Sequence, residues 1–409
     1  MAAAGALSKL IQDLKVSLKT LNDDTVASEL RATLHDPKQL PNKMIAAQAA
    51  EAVDLLGELD LLLEPGHMIL ADHFLGYTNT KCLVAVVELN VADVLDRGPR
   101  SLSDLATICS ANPHRLSQVL KPLYNNGIFR YDASTSTYSN NHVSELLCSD
   151  NWTQWHNWVN LYGNQFYDIA RGIPKSVRDD QIRWGAQINY DTDHNMFTYF
   201  QSQGWVPQLH RTLGGGATAM APGIMADYPW EEIADKTVLD IGGGGGALIA
   251  SLLRTYETMR GGVFDLQGVI DHIVPFFVKG GQFEDLEARV PSRNLIPGNF
   301  MAEIPSFEVY VMKWVLHDWK DEESVVILKN IRKAILNGEK SRLVVLESIL
   351  SDGRTGRLSR YGDINMMMTA NGQERTESEW RKLAGLADWK VTGIFPMRNA
   401  WVQAIELRP

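Results

Sequence analysis

The 409-residue sequence predicts an α/β protein, in which a mainly helical N-terminal region precedes a mostly parallel β-sheet with helices on both faces. Two observations lead to this prediction. Apolar residues recur at helical spacing before residue 213, whereas after it four short apolar runs alternate with helical segments. Strands that are apolar along their whole length are typical of parallel sheets buried on both faces.

The composition is that of a folded, water-soluble protein, with 45% hydrophobic and 22% charged residues. The net charge of −10 repels phosphate backbones, so we expect no nucleic-acid partner. No apolar run approaches the roughly 18 residues that cross a bilayer, and the N-terminus lacks a signal-peptide pattern. These features predict a cytoplasmic protein that does not bind membranes. Cys82, Cys109 and Cys148 are widely spaced and predict neither disulfides nor a metal site.

Residues 1–65 are predicted to form a helical extension, because leucine and isoleucine recur there at three- and four-residue steps. Residues 66–150 are predicted to form a winged-helix-like module of two helices and a β-hairpin. The pattern is compatible with DNA binding or with a module used for packing or dimerisation. The second helix offers only His114, Arg115 and Lys121 as cations, which favours dimerisation.

Residues 151–212 are predicted to be a helical connector rich in aromatic side chains. Aromatic residues at helical spacing are usual in a core, but they can also wall a pocket for a flat apolar ligand, and both interpretations stay open. Methionine adapts to irregular apolar ligands. The residues predicted to line a substrate pocket are Trp158, Tyr162, Phe166, Met366 and Met367.

Residues 213–409 are predicted to form a ligand-binding domain, in which five glycines, 242–246, separate a strand from a helix. Glycine lets a ligand approach the backbone, and Asp265 ends the next strand where a carboxylate can bind ribose hydroxyls. This pattern indicates a nucleoside-containing cofactor, although a tight turn with a capping aspartate would look alike. The loop also fits the G-x-G-x-x-A form typical of NAD sites. However, Asp240 inside the strand suits an ammonium or sulfonium better than a pyrophosphate.

The segment MKWVLHDW, residues 312–319, places His317 at the carboxyl end of a predicted parallel strand, where open α/β sheets bind ligands. An imidazole can act as a general base near neutral pH. Glu347 ends the next strand, and a glutamate beside a histidine orients the ring and raises its basicity. Glu374 is a second candidate for that role. Three structural alternatives stay open. His317 and Asp318 could cap a helix, His317 could be a core histidine, and Glu374 could form an ion pair with Arg375.

Taken together, these motifs resemble those of the plant caffeate-type and fungal secondary-metabolite O-methyltransferases. The resemblance covers about residues 70–409 and rests on VLDIGGGGGALIASLL, VFDLQGVID, GNFMAEIP, YVMKWVLHDWKDEESVVILKNI, LVVLESIL and NGQERTESEW. It implies a Rossmann-like class I methyltransferase domain behind a winged-helix-like dimerisation region, and therefore a homodimer. It also implies methyl transfer from S-adenosyl-L-methionine to a hydroxyl of a small aromatic or polyketide-like molecule. His317 would be the base, with Asp318, Glu347 and Glu374 around it.

The resemblance further implies which residues hold the cofactor. They are Asp240, Gly242, Gly243, Gly244, Asp265, Leu266, Asn299, Phe300 and Lys313. One position departs from the family, which has aspartate where this chain has Asn299. An amide oxygen can still accept a hydrogen bond from the adenine amino group. The stretch 271–295 is longer than is usual in the family.

Two other functions are compatible with this scaffold. The first is a pericyclase: some relatives of the fungal family bind the cofactor but catalyse a cyclisation or a dehydration-linked rearrangement. Lys313 could then polarise a carbonyl, although an intact His317 favours methyl transfer. A winged-helix regulator that senses the cofactor is disfavoured by the acidic charge and by the complete set of catalytic residues.

Overall fold

The structure is a computed structural model that describes residues 2–36 and 38–409. The N-terminal extension consists of three helices, and a fourth follows Pro65. They are α1 (Ala2–Leu21), α2 (Asp24–Leu34), α3 (Lys43–Leu63) and α4 (Gly66–Leu75). The side chain of Asn42 caps α3 by accepting the N–H groups of Met44 and Ile45.

None of these four helices buries a side chain among the described residues. Their apolar residues face solvent instead, and Leu62 is 79% exposed. Many exposed apolar side chains on neighbouring helices are typical of a region that contacts another protein surface.

The winged-helix-like module forms as predicted, with one extra strand. Its elements are α5 (Tyr77–Glu88), α6 (Val91–Asp96), β1 (Arg100–Ser101), α7 (Leu102–Ile108), α8 (Pro113–Asn125), β2 (Arg130–Asp132) and β3 (Thr137–Ser139). The three strands pair antiparallel in the order β1-β3-β2. Ser101 caps α7, and Gly127 takes the left-handed conformation after α8, as their positions in the sequence predict.

The connector is a chain of short helices that ends in one long helix. Its helices are α9 (Trp155–Leu161), a π-helical turn (Tyr162–Phe166), α10 (Tyr167–Ile169), α11 (Ile173–Ser176), α12 (Gly185–Tyr190), α13 (Met196–Gln203) and α14 (Val206–Asp227). The proposed domain boundary at residue 213 falls inside α14. Glycines let this helix pack closely, since a Cβ on Gly216 would lie 2.3 Å from the Trp158 ring. Because α14 continues to Asp227, the alternation of strands and helices begins only after that residue.

The ligand-binding domain contains nine strands and five α-helices. The strands are β4 (Thr237–Ile241), β5 (Arg260–Asp265), β6 (Leu295–Pro297), β7 (Val309–Lys313), β8 (Arg342–Glu347), β9 (Ile349–Leu350), β10 (Arg375–Thr376), β11 (Lys390–Pro396) and β12 (Gln403–Arg408). The helices are α15 (Ala247–Thr255), α16 (Gln267–Ile273), α17 (Asp321–Ala334), α18 (Arg357–Thr369) and α19 (Glu377–Leu386).

Short 3₁₀ helices complete the described chain. They span Ser144–Leu147, Ala170–Gly172, Trp230–Ile233, Val274–Phe277, Glu284–Leu286, Ser292–Asn294 and Leu316–Asp318.

The main sheet has seven strands in the order β11-β12-β8-β7-β4-β5-β6. The five strands from β8 to β6 run parallel, whereas β12 and β11 add an antiparallel hairpin beside β8. The strand order reverses between β4 and β7. Their carboxyl ends therefore border the crevice where ligands bind in open α/β sheets, and the glycine loop and the His317 segment both begin there.

The long stretch 271–295 is part of the core. Phe277, Phe283 and Leu286 are buried beside the helix α15, and Arg254 of that helix forms an ion pair with Asp285 at 2.8 Å. The insertion therefore has a packing role. Across residues 2–36 and 38–409, the structure contains no helix with the length and apolar character that a membrane crossing requires.

Candidate functional site

The predicted base lies on a tight turn directly after β7. Trp314 adopts the left-handed backbone conformation with φ of 55°, and the 3₁₀ helix that follows carries His317. The carboxylate of Glu347, at the end of the neighbouring strand β8, accepts the N–H groups of Val315 and Leu316 at 2.9 Å each. Two backbone bonds to one buried carboxylate fix the turn relative to the sheet. A strained non-glycine conformation at such a turn is common at functional sites.

The structure brings together His317, Glu347 and Glu374, three of the four residues predicted to form the catalytic centre. His317 Nδ1 lies 2.9 Å from Glu374 Oε1 and 3.4 Å from Glu347 Oε2. Glu347 is fully buried, and His317 is 8% exposed. The other ring nitrogen, Nε2, lies 3.8 Å from Asp318 Oδ1, beyond hydrogen-bonding distance. The carboxylates therefore hold Nδ1 as the protonated nitrogen and leave Nε2 as the nitrogen that can accept a proton.

The electrostatic balance at His317 favours its protonated form. Burial lowers the pKa of the imidazole, but the negative charge of Glu347 and the hydrogen bond to Glu374 outweigh burial and raise the pKa to about 9. Burial also raises the pKa of Glu347, while the nearby imidazole opposes that change. The sequence suggested an ordinary imidazole pKa near 6.5. The buried carboxylates make this histidine a stronger base than that.

Arg375 organises the same turn, a role that the sequence analysis did not assign. Its guanidinium donates to the carbonyls of Leu316 at 3.1 Å and Trp319 at 2.8 Å, on either side of the His317 turn. It also pairs with Asp321 at 2.9 Å, and it is 1% exposed. Glu374 and Arg375 therefore do not pair with each other as suggested. Glu374 contacts the His317 ring, and Arg375 contacts the turn carbonyls and Asp321. Only its position beside Glu374 in sequence could have pointed to this role.

We expect Arg375→Lys to lower kcat roughly 10²-fold, because a misplacement of about 1 Å at the base has effects of that size. A lysine keeps the charge but cannot bridge two carbonyls with a planar fork. The variant should bind the nucleoside-containing cofactor that the sequence predicts with an unchanged dissociation constant. Arg381→Lys is the matched control, because Arg381 on α19 pairs with Glu377 on the surface. Equal rates for Arg375→Lys and Arg381→Lys would contradict a positioning role.

The glycine loop and Asp265 form a second cluster across the crevice. Gly242, Gly244 and Gly246 all have positive φ. The two carboxylate oxygens of Asp265 accept the N–H groups of Gly244 at 3.0 Å and Leu266 at 2.7 Å. A Cβ on Gly243 would lie 2.8 Å from the Asp240 carboxyl group. The loop thus needs glycine both for its backbone conformation and for close approach.

Asp240, which is buried, and Lys313, which is half-buried, are ionisable groups at the carboxyl ends of β4 and β7. Burial raises the pKa of Asp240 to about 8, and burial lowers the pKa of Lys313 to about 8, while each charge opposes the shift of the other. Asp240 Oδ2 is buried and has no hydrogen-bond partner within the described residues. An orphaned carboxylate oxygen beside the glycine loop fits a ligand that brings a cationic donor. This favours a sulfonium nucleoside with an ammonium group over NAD.

Asn299 and Phe300 follow β6 at the edge of this cluster. Asn299 Oδ1 accepts the Met301 N–H at 2.9 Å, and because an amide oxygen has two lone pairs it can still accept from adenine. Phe300 lies edge-on to Trp319, with ring centroids 5.9 Å apart. Leu266 is 59% exposed and therefore offers its backbone more than its side chain.

The aromatic residues predicted to line a substrate pocket form one stacked ladder. Tyr162 stacks on Trp158 with centroids 5.2 Å apart and on Phe166 at 4.4 Å. Trp158 also contacts Trp314, at the start of the turn that carries His317, with ring centroids 6.4 Å apart. Trp158 and Phe166 are buried, whereas Tyr162, Met366 and Met367 are half-buried. The ladder thus belongs partly to the core and partly to the surroundings of the turn.

The cluster around His317 also meets one geometric requirement for a metal. Ligand atoms of His317, Glu347 and Glu374 all lie within 4.8 Å of one another. The hydrogen bond between His317 Nδ1 and Glu374 also accounts for the short distances in this cluster, and it requires no metal ion. The prediction that the enzyme uses no metal therefore needs a test of its own.

Comparison with known proteins supports the interpretation of both halves of the chain. An O-methyltransferase domain model matches residues 234–390, and an O-methyltransferase dimerisation domain model matches residues 71–150. The second match covers the winged-helix-like module and supports dimerisation over DNA binding.

Fungal relatives match almost the whole chain. O-methyltransferase aclM of Aspergillus oryzae is 57% identical, over 97% of this chain and 95% of its own length. O-methyltransferase gliM of Aspergillus fumigatus is 47% identical, over 94% of this chain and 89% of its own length.

Solved structures share the fold at low sequence identity. The calicheamicin-biosynthesis methyltransferase CalO1, in its SAH-bound form, has a TM-score of 0.71 at 23% identity, over 84% of this chain and 98% of its own length. Human N-acetylserotonin methyltransferase in complex with SAM has a TM-score of 0.69 at 22% identity, over 84% of this chain and 98% of its own length. The protein is a homodimer, and its cofactor is S-adenosylmethionine. The chain belongs to the S-adenosylmethionine-dependent O-methyltransferase family.

Proposed function

We propose that this enzyme methylates a hydroxyl group of a small aromatic or polyketide-like secondary metabolite, and that His317 removes the hydroxyl proton. The observation that carries the proposal is the buried histidine whose Nδ1 is held by Glu374 at 2.9 Å and approached by Glu347 at 3.4 Å. This arrangement fixes the tautomer in which Nε2 is the basic nitrogen. The fungal relatives are named O-methyltransferases, which supports the same reaction class.

The residues around the glycine loop fit the cofactor. Bound S-adenosylmethionine supplies a methyl group on a positively charged sulfur atom. We assign Asp240 to its ammonium group, because that carboxylate has an unpartnered buried oxygen. We assign Asp265 to the ribose hydroxyls, since its oxygens lie at the end of β5 beside Gly244 and retain free lone pairs. Gly242 and Gly243 would allow close approach, and we assign Asn299 and Phe300 to the adenine.

The proton transfer follows from the charges at the turn. Nε2 of His317 accepts the hydroxyl proton while the acceptor oxygen becomes an anion. The imidazolium that forms is stabilised by the buried carboxylates of Glu347 and Glu374, which are close to Nδ1. The proton leaves to water when the product departs. Because the acceptor must be held in line with the methyl group, positioning by the aromatic ladder contributes to the rate.

The deciding experiment is mass spectrometry of reactions that contain the protein, S-adenosylmethionine and a panel of phenolic and polyketide-like acceptors. A gain of one methyl group, absent in His317→Ala, would support the proposal. The same reactions after dialysis against EDTA should proceed at an unchanged rate, because the proposed proton transfer needs no metal. Binding of the cofactor without methylation, together with rearrangement of an acceptor at constant mass, would instead indicate the pericyclase alternative.

The rate of methyl transfer should rise with pH, reach half of its maximum near pH 9 and level off above it. The neutral imidazole is the base, and its fraction grows about tenfold per pH unit below the raised pKa of about 9. In Glu374→Gln the loss of one negative charge destabilises the imidazolium, so the pKa falls and the limb of the profile moves to lower pH. Profiles of kcat/KM for both proteins measure this shift. Superimposable limbs would refute the role of Glu374.

A further inference from the structure

Helix α18, which precedes Glu374 in the chain, holds the backbone of that glutamate. The Glu374 N–H group donates to Asp363 Oδ1, on α18, at 2.8 Å. The preceding residue of the helix, Gly362, approaches the same glutamate, since a Cβ there would lie 3.5 Å from Glu374 Oε1. The helix therefore contacts both the backbone and the carboxylate of the residue that bonds His317 Nδ1.

The carboxylate of Glu374 has few contacts of its own. Among the residues that the structure describes, Oε1 bonds His317 Nδ1 at 2.9 Å, whereas Oε2 is buried and has no hydrogen-bond partner. No second hydrogen bond of the side chain therefore keeps it against the imidazole. The position of the carboxylate depends on the backbone that carries it.

Hydrogen bonds fix the turn between α18 and Glu374. The chain reverses at Asn371, which has φ of 57°, and the next two N–H groups donate to carbonyls. The N–H of Gly372 bonds the Met366 carbonyl at 3.2 Å, and the N–H of Gln373 bonds the His317 carbonyl at 2.8 Å. Asp363 accepts the N–H that follows, that of Glu374. Without this acceptor the donor of a buried residue would be unsatisfied, a cost that rotation of its peptide group relieves.

The position of Asp363 is set by contacts at both ends of its helix. Before the start of α18, Asp54 of α3 accepts the N–H and the hydroxyl group of Thr355, each at 2.7 Å. Near the end of α18, Met368 is buried and lies against Gly185 of α12. Asp363 therefore presents its oxygen to Glu374 from a helix that is fixed on both sides.

The charges around Asp363 do not replace this hydrogen bond. Burial raises the pKa of Asp363, and so does the charge of Glu379 on α19, whereas the Glu374 N–H and the charge of Arg375 oppose the shift. A carboxyl group keeps an oxygen that accepts an N–H in either protonation state. An amide offers the same acceptor, so asparagine is the conservative substitution at this position.

We propose that Asp363 is a positioning residue for the base, because its oxygen holds the Glu374 backbone so that the Glu374 carboxylate stays on His317 Nδ1. The inference rests on the proposed function, in which Nε2 of His317 removes the hydroxyl proton. Without the Asp363 acceptor, Glu374 moves away from Nδ1 and the imidazolium loses one of its two carboxylate neighbours. His317 then becomes a weaker base with a less fixed tautomer.

Titration of the His317 ring by NMR tests this role without methyl transfer. The full-length protein is isotope-labelled in its histidine rings, and the His317 signal is identified by its absence in His317→Ala. In Asp363→Ala we expect the pKa of His317 to lie at least about one pH unit lower, the effect of removing an opposite charge at this distance. In Asp363→Asn the pKa should equal that of the natural protein, because the amide oxygen accepts the same N–H.

The matched control is Asp352→Ala. Asp352 is exposed and pairs with Arg360, in the first turn of the same helix, at 2.6 Å. A His317 titration that Asp363→Ala leaves unchanged, or that Asp363→Asn or Asp352→Ala shifts equally, would overturn the proposal. If circular dichroism shows that the alanine variant is unfolded, Asp363→Leu, which fills the space without an acceptor, takes its place. The expected titrations together with full methylation by His317→Ala would support the positioning of Glu374 and refute the proposed function.

Discussion

Replacing His317 by alanine is expected to lower kcat about 10²–10⁴-fold, the usual contribution of a positioned general base. The dissociation constant of S-adenosylmethionine should stay within about twofold, because the assigned cofactor residues lie on the glycine loop and on other strands. The decrease in kcat should be smaller at high pH, because hydroxide then deprotonates part of the acceptor without the protein. Initial rates and isothermal titration calorimetry measure the two quantities.

The control for this substitution is His272→Ala, which removes an exposed histidine of α16 in the same domain. That variant should retain the natural rate. If His317→Ala kept more than about a tenth of the rate, the base would have to be sought elsewhere, because a base contributes at least about 10²-fold. Loss of cofactor binding together with activity would indicate that the substitution disturbs the Glu347-bound turn and not the proton transfer alone.

Two members of the His317–Glu347–Glu374 cluster were predictable because each is placed by a recognisable strand. His317 comes shortly after β7 and Glu347 ends β8. Both strands are mainly apolar, and the carboxyl ends of parallel strands meet at one edge of a sheet. The structure places these residues there, with Glu374 entering from the segment before β10. The approach of Glu374 to His317 needs tertiary contacts that no local pattern encodes. One such contact is the close approach of Gly372 to the His317 carbonyl, which a Cβ at position 372 would prevent.

Other features lay beyond local sequence patterns for related reasons. The sequence suggested Arg375 only as an ion-pair partner of Glu374, because its buried carbonyl partners belong to a turn more than fifty residues earlier in the chain. Helix α14 obscured the start of the ligand-binding domain, because its apolar face packs against both the connector and the core.

Replacing Asp265 by alanine is expected to weaken S-adenosylmethionine binding by at least about 100-fold. Two hydrogen bonds from ribose hydroxyls to a carboxylate contribute about 1.5–3 kcal/mol each, and each 1.4 kcal/mol is about a factor of ten. Asp265→Asn retains one acceptor oxygen and should fall between the natural protein and the alanine variant. Isothermal titration calorimetry measures the constants, and circular dichroism checks that the fold is retained.

The control for this prediction is Asp271→Ala, which removes an exposed carboxylate on α16 that pairs only locally with Gln267. Equal dissociation constants for the Asp265 and Asp271 variants would show that the Asp265 carboxylate serves the loop alone, through its bonds to Gly244 and Leu266. The cofactor would then depend on Asp240, whose carboxyl group has an unpartnered oxygen beside the glycines. A graded loss from Asp265→Asn to Asp265→Ala, at constant secondary structure, would instead locate the ribose at the end of β5.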